Sequence, residues 1–205
     1  LGGFCLTEAG SGSDAGAMLT SARREGDDYI LDGAKVWITN AGFAGTFVVM
    51  AKTDPAAGKK GISAFVVDAA TPGIDIGRPE EKLGLRASVT AAVSFSGCRV
   101  PSRQLLGTEG AGFKIALATL DHSRLGIAAQ AVGMHQRALE LATAYASERV
   151  QFGKPIAAHQ AIQFQLARMA TELAAARVLL WHAAASERSN TAGRDGWRTR
   201  RLRLT

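Results

Sequence analysis

The hydrophobic pattern of this chain changes its period once, near residue 103, and this change constrains the fold more than any other feature. Before that point, short apolar or β-branched runs alternate with turn signals, a pattern typical of an antiparallel β-barrel or β-sandwich. After it, alanine- and leucine-rich stretches follow helical spacing. The expected fold class is α+β multidomain, with the β domain followed by part of an α-helical domain of the four-helix-bundle type.

The expected domain organisation is a β domain, two helices of a bundle and an atypical arginine-rich tail, at residues 1–105, 106–188 and 189–205. The expected strands cover residues 29–31, 35–39, 46–51, 62–67 and 91–95. Asp32-Gly33, between the first two strands, predicts a β-hairpin.

Two long helices are expected after the β domain, at residues 113–148 and 158–186. Residues 149–154 form the break between them, and residues 189–194 are expected to interrupt the second helix. Two helices alone cannot cover each other's apolar faces. Further helices are therefore expected from chain outside this sequence or from another subunit.

The net charge of +6 does not predict a nucleic-acid-binding face, because the excess is concentrated at one end. Residues 186–205 hold six arginines against Glu187 and Asp195, a net of +4, which leaves +2 for the remainder. Non-specific polyanion binding by the tail stays open, but neither a nucleic-acid partner nor a membrane partner is expected. Cys5 and Cys98 lie far apart without metal-ligand spacing, so free thiols and no metal site are expected.

Two segments mix bulky apolar side chains with hydroxyls and small residues, at residues 7–14 and 37–40. In β structure such segments form a flat, mostly apolar wall with a few hydrogen-bond donors, which suits a planar heterocyclic cofactor. Trp37 and Thr39 are expected to share one face of their strand, because side chains alternate with a period of two. A core tryptophan beside a hydrogen-bonded threonine is the alternative.

The glycine-rich segment at residues 10–16 fails as a dinucleotide-binding fingerprint. Its third glycine lies one position too late, and a strand rather than a helix is expected to follow. We interpret it as a loop whose backbone can approach a ligand, with the Ser13 hydroxyl at its edge. A plain surface turn is the alternative.

Two pairs of polar residues lie in the helical half. Asp121 and Arg124 are three residues apart and share a helix face, which fits a binding role or a plain surface ion pair. Arg149 and Gln160 flank the break between the helices, where an arginine suits a phosphate and a glutamine suits an adenine edge. They are equally compatible with ordinary turn residues.

Taken together and in order, these segments resemble the acyl-CoA dehydrogenase family. Their sequences are most similar to its short-chain or butyryl-type branch. The matching segments span most of the chain and lie at residues 4–8, 33–40, 71–74, 82–86, 110–113, 120–124, 148–155 and 159–160. The resemblance implies an FAD-dependent enzyme that dehydrogenates a short-chain acyl-CoA between its α and β carbons. It also implies a homotetramer, with an electron-transfer flavoprotein as the electron acceptor.

The resemblance also assigns site residues. Those expected at the cofactor are Phe4, Leu6, Thr7, Gly12, Ser13, Trp37, Ile38, Thr39, Arg149, Gln151, Phe152 and Gln160. Those expected at the acyl-CoA substrate are Ser13, Asp121 and Arg124. The implied compartment is the cytoplasm of a bacterium or the mitochondrial matrix of a eukaryote.

The chain departs from the family at the catalytic base. The family's usual glutamate lies in a late bundle segment, and nothing here matches it, so no catalytic residue is expected in this chain. Some relatives carry the glutamate just before the arginine of the first bundle helix, where this chain has Ser123. The chain is therefore expected to be a truncated family member, and a non-catalytic remnant that binds flavin or acyl-CoA weakly is the alternative.

Overall fold

The structure is a computed structural model that describes residues 1–192. It contains two compact units, Leu1–Leu117 and a second unit that begins at Ala118. The first unit is built on a β-sheet and the second is helical. This order confirms the α+β class and the expectation of a β domain followed by helices.

Seven strands form one sheet in the first unit: β1 Gly2–Cys5, β2 Ser21–Glu25, β3 Asp28–Thr39, β4 Thr46–Lys52, β5 Ile62–Asp68, β6 Ile74–Ile76 and β7 Thr90–Pro101. The spatial order is β1-β4-β2-β3-β7-β6, and β5 pairs with β4. Most pairings are antiparallel, as expected, but β4 pairs in parallel with β1 and, at one bridge, with β2.

The sheet curls on itself. Tyr29 of β3 and Phe65 of β5 are three strand positions apart, which in a flat sheet would separate them by about 14 Å. Their ring centroids are 4.9 Å apart. The Leu106 N–H, beyond the end of β7, donates to the Ala64 carbonyl of β5 at 2.8 Å. This contact brings the chain after β7 against β5, and the curled sheet encloses one hydrophobic core.

The core is formed by inward side chains from six strands. Its largest fully buried apolar members include Phe47, Phe65, Leu31, Ile38 and Val93. Cys5 and Cys98 are free thiols within it. Burial raises the pKa of Cys5 to about 12, so this thiol stays protonated and unreactive near neutral pH.

The hairpin predicted at Asp32-Gly33 is wrong, because β3 runs without interruption from Asp28 to Thr39. It pairs with the equally long β7 on both sides of Gly33, where the register shifts. Gly33 has a φ of 147°, so the glycine accommodates an irregularity within one strand rather than a reversal. The observed hairpin joins β2 to β3 one turn earlier, where Glu25 pairs with Asp28.

The helical half begins with α1, Gly112–Glu148, and continues to α2, Gln160–Ala192. Two short strands, β8 Val150–Gln151 and β9 Lys154–Pro155, form a hairpin between them. The expected interruption of the second helix at residue 189 is wrong, since α2 continues to Ala192. Serine, asparagine and threonine lower helix propensity only moderately and do not end a helix alone. From residue 193 on, the predicted arginine-rich tail lies outside the described residues.

Large apolar side chains on both helices of the second unit are exposed. On α1, Ile127, Met134 and Leu141 recur every seven residues and are each more than half exposed. Phe164 and Trp181 of α2 are similarly exposed. Within residues 1–192, no helix is long and apolar enough to cross a membrane.

We expect Gly33→Ala to destabilise the protein by about 1–3 kcal/mol. A Cβ at this position would lie 2.5 Å from Thr20 Oγ1 and 2.7 Å from Thr20 Cα, and φ is positive. Gly84→Ala is the matched control, since no atom lies within 4 Å of its added Cβ. Denaturant unfolding measures both, and equal losses for the two variants would contradict the packing argument.

Candidate functional site

Trp37 projects from the sheet on a β-bulge. Between Lys35 and Ile38 the register of β3 against β7 shifts, so two residues of β3 face one residue of β7. The Trp37 side chain is 61% exposed, Ile38 beside it is buried, and Thr39 is exposed again. Trp37 and Thr39 therefore lie on the open face, and the alternative of a core tryptophan is wrong.

The backbone at Trp37 is strained. Its φ is 61°, in the left-handed region that bulky residues rarely adopt, and Asn40 three residues later has a φ of 65°. Such a conformation costs on the order of 1–3 kcal/mol and persists only where the surrounding structure enforces it. Strain of this kind is common at binding sites, and here it coincides with an exposed indole.

The residues just before Trp37 bind the chain that follows β1. Lys35 Nζ donates to the Leu6 carbonyl at 3.1 Å and to Glu8 Oε1 at 2.8 Å. The Val36 N–H donates to the Thr7 carbonyl at 2.9 Å. Two consecutive residues of β3 thus hold Leu6 and the first two residues of the other predicted wall segment, Thr7 and Glu8.

Glu8 also closes the loop that follows it. Its Oε2 accepts a hydrogen bond from the Leu19 N–H at 2.6 Å, and its Oε1 accepts one from the Thr20 N–H at 3.0 Å. Glu8 and Ser11 exchange two backbone hydrogen bonds, at 3.0 and 3.1 Å. One carboxylate therefore connects both ends of the loop to β3.

The remaining predicted residues of the first unit lie along this segment. Phe4 is half-buried in β1, Leu6 is 7% exposed and Thr7 is half-buried. Gly12 and Ser13 are exposed at the tip of the loop. A Cβ at Gly12 would meet no atom within 4 Å, so packing within this chain does not require glycine there.

The Lys35–Glu8 ion pair is almost entirely removed from water, with Lys35 0% and Glu8 8% exposed. Burial by itself would raise the pKa of Glu8, but hydrogen bonds from Lys35, Thr20 and Leu19 hold that pKa below its ordinary value of 4.5. Burial lowers the pKa of Lys35, and the Glu8 carboxylate opposes that shift. Each charge therefore depends on the other to remain ionised in the core.

Two predicted residues of the second unit, Asp121 and Arg124, form an exposed ion pair on α1. Their closest charged atoms, Asp121 Oδ1 and Arg124 Nη1, are 3.8 Å apart. An exposed pair one helical turn apart contributes little to stability.

The other predicted residues of the second unit cluster at the β8–β9 hairpin. Phe152 lies at the hairpin turn, is 93% exposed, and makes an edge contact with the His159 ring at a centroid distance of 5.9 Å. The Arg149 carbonyl accepts from the Ile156 N–H at 2.8 Å, and the Gln151 carbonyl lies 3.3 Å from His159 Nε2. Gln160 begins α2 and is exposed.

The structure does not bring these two sets of second-unit residues together within one chain. Asp121 lies 27 residues before Glu148, the last residue of α1, and a helical rise of about 1.5 Å per residue therefore places it about 40 Å along the helix from that end, where Arg149 follows. In the first unit, by contrast, hydrogen bonds from Lys35 and Val36, the two residues just before Trp37, hold the predicted residues Leu6 and Thr7.

Lys35 and Glu8 are the residues that the sequence analysis missed as part of this site. Period-two alternation would place Lys35 on the same face as Trp37, and only the bulge puts the two on different faces. No sequence signal marked either charge as buried. Among residues 1–192, no group of three or more histidine, cysteine or acidic side chains is arranged to hold a metal ion.

We expect acid to destabilise the first unit through Glu8. Because the folded pKa of Glu8 is lowered, this stabilisation is fully present above pH 4.5 and is lost as the pH falls through the folded value. Glu8→Gln should lose about 3–5 kcal/mol at neutral pH, because Lys35 then remains buried without a counter-charge.

Unfolding free energies measured across the acid range test this expectation. Glu8→Gln should lack the Glu8 part of the acid dependence. Arg99→Met is the control, since it removes exposed ion pairs to Glu25 and Asp28 at 2.9 and 3.0 Å and should change the dependence little. The same acid dependence in Glu8→Gln and the unaltered protein would contradict the role of Glu8.

Two family models match the sequence. The model of the acyl-CoA dehydrogenase middle domain matches residues 3–98. The model of the acyl-CoA dehydrogenase C-terminal domain matches residues 110–196. Together they cover both structural units.

Individual proteins agree with these models. The human mitochondrial short-chain specific acyl-CoA dehydrogenase is 53% identical over 184 residues, 90% of this chain and 45% of that protein. Butyryl-CoA dehydrogenase from Megasphaera elsdenii has a TM-score of 0.91 at 44% identity, over 93% of this chain and 50% of that one. A structure described as an FAD-dependent dehydrogenase has a TM-score of 0.89 at 38% identity, over 91% and 50%. The chain spans about half the length of the relatives it matches.

Proposed function

The chain belongs to the acyl-CoA dehydrogenase family, and on that premise we propose that the protein takes part in FAD-dependent α,β-dehydrogenation of a short-chain acyl-CoA thioester. The short-chain assignment is supported by the similarity to a short-chain specific enzyme and to a butyryl-CoA dehydrogenase.

One observation of the site carries the proposal. Trp37 is exposed on a strained bulge, and residues 6–8 are held against β3 by hydrogen bonds from Lys35 and Val36, just before it. A protein gains nothing for its own core from an exposed indole held in a left-handed conformation. The same arrangement offers an apolar surface with hydroxyl groups beside it, which suits a flavin ring.

FAD fits these residues by their chemistry. Trp37 would pack on the ring system, and the exposed Thr39 hydroxyl would donate a hydrogen bond to a ring edge. Leu6 and Phe4 would exclude water from the apolar side. Bound FAD would supply the acceptor for a hydride that leaves the β carbon of the substrate.

The substrate thioester would lie on the open side of this wall. The Ser13 hydroxyl, exposed at the loop tip, is available to bind it. Hydrogen bonds to the thioester carbonyl would stabilise the negative charge that develops there as the α proton leaves. The roles of the second-unit residues stay predictions: Asp121 and Arg124 at the substrate, and Arg149, Gln151, Phe152 and Gln160 at the cofactor.

We assign no residue of this chain as the base that removes the α proton. Ser123 on α1 donates its hydroxyl to the Leu120 carbonyl at 3.0 Å. A serine hydroxyl is far too weak a base to replace a carboxylate in this step. That this chain lacks the catalytic base stays a prediction. The alternative, a non-catalytic remnant, also stays a prediction.

The proposed assembly is a homotetramer, and the proposed electron acceptor is an electron-transfer flavoprotein. The exposed apolar side chains at Ile127, Met134 and Leu141 are compatible with an oligomer, because another subunit would cover them, as would further helices of a longer chain. One relative is mitochondrial and another is bacterial, and both proposed compartments, the mitochondrial matrix and the bacterial cytoplasm, agree with that distribution.

We expect the purified protein to bind FAD. Loss of the visible absorption of the bound flavin when butyryl-CoA is added without oxygen would support the dehydrogenase function. Trp37→Ala should weaken FAD binding by about tenfold or more, because it removes the exposed ring on which the flavin packs. Absorption titration measures both effects.

Trp181→Ala is the matched control, since the exposed fraction of Trp181 is 64% against 61% for Trp37. It should leave FAD affinity unchanged. A protein that remains colourless with excess FAD would refute flavin binding. FAD binding without bleaching by butyryl-CoA would instead support the non-catalytic alternative.

A further inference from the structure

The Lys35–Glu8 ion pair has no part in the proposed reaction, yet it occupies the core next to the strained bulge. Lys35 is the last residue of β3 in regular register before the shift that exposes Trp37. Its ammonium group lies within hydrogen-bonding distance of Leu6, Glu8 and, more weakly, the Met18 sulfur at 3.8 Å. The pair therefore joins the start of the first wall segment, at Glu8, to β3 two residues before Trp37.

An ion pair that served stability alone would be a poor choice at this position. Apolar side chains of similar volume are often as good as a buried pair, or better, for stability. A buried pair instead fixes the relative positions of the chain segments around it, because each charge must be met by particular partners at particular distances. Here those partners are the carbonyl of Leu6 and the carboxylate of Glu8, which bring residues 6–8 to a fixed position along β3.

The bulge separates the side chains of Lys35 and Trp37 onto opposite faces of the sheet. The side chain of Lys35 points into the core and that of Trp37 points out, although residues two apart in a regular strand share a face. The Val36 N–H lies between them and is bound to the Thr7 carbonyl, the residue between Leu6 and Glu8. Hydrogen bonds to Leu6, Thr7 and Glu8 thus fix the β3 backbone at Lys35 and Val36. The left-handed conformation of Trp37 follows directly after these two residues.

We propose that Lys35 and Glu8 are positioning residues of the flavin wall: their ion pair holds the bulge that turns Trp37 outward and aligns the segment from Leu6 to Ser13 beside it. The flavin part of this inference rests on the proposed function, whereas the positioning of Trp37 does not. In the absence of the pair, β3 is expected to relax toward regular register, and the indole to change its surroundings.

The double variant Glu8→Gln/Lys35→Met tests the pair without leaving an unpaired charge in the core. The introduced glutamine keeps an oxygen that can accept from the Leu19 or Thr20 N–H, and the introduced methionine fills much of the space of the lysine stem. If this variant does not fold, Glu8→Asp replaces it. Aspartate keeps the charge but is one methylene shorter, so it stretches the contact with Lys35.

The decisive readout is the environment of Trp37 in protein labelled with fluorotryptophan. Fluorine NMR resolves the indole resonances, and Trp37→Phe assigns the one from Trp37. The second readout is FAD affinity, and thermal unfolding confirms that each variant is folded. Arg99→Met is the control, because it removes ion pairs that join β7 to Glu25 and Asp28 on the exposed side of the same sheet.

The expected result is a shifted Trp37 resonance and an FAD dissociation constant raised about tenfold or more in the folded double variant, with the Trp181 resonance and the Arg99→Met protein unchanged. An unshifted Trp37 resonance would overturn the proposal. A shifted resonance with unchanged FAD affinity would overturn its flavin part. If the unaltered protein binds no FAD, the proposed function fails, and the Trp37 resonance alone decides whether the pair positions the bulge.

Discussion

The buried ion pair between Lys35 and Glu8 is the interaction on which the arrangement of the first unit depends. Two opposite charges in a core are costly unless each is met by the other and by further hydrogen bonds. Here Lys35 reaches Leu6 and Glu8, and Glu8 also accepts from the backbone at Leu19 and Thr20. Satisfying these two charges requires β1, its following loop and β3 to adopt one particular alignment.

That alignment explains the exposed tryptophan. A left-handed backbone at an aromatic residue is unfavourable, and a chain adopts it only when neighbouring bonds leave no better choice. At Trp37, Lys35 on one side is anchored in the core and Ile38 on the other is buried in it. The strain is thus supported by core packing, while the indole it exposes is free for the cofactor role proposed for it.

Much of the fold could be predicted from the sequence, because strand and helix periods are local properties. The helix predicted at residues 113–148 begins one residue later than the observed α1 and ends with it. The prediction of a hairpin at Asp32-Gly33 was wrong because the same residues can also accommodate a bulge within a strand. Pairing with β7 selected the bulge over the turn. The second helix likewise continued past Ser189, where composition alone suggested an end.

The sequence by itself determined the fold class, the family and the two segments of the candidate wall, because each depends on short local patterns of residue type and spacing. Only the tertiary structure decided that Trp37 faces outward and that Lys35 and Glu8 meet in the core. The physical reason is that burial and strain depend on long-range strand pairing. Neither the register shift against β7 nor the contact across 27 residues between Glu8 and Lys35 can be read from neighbours along the chain.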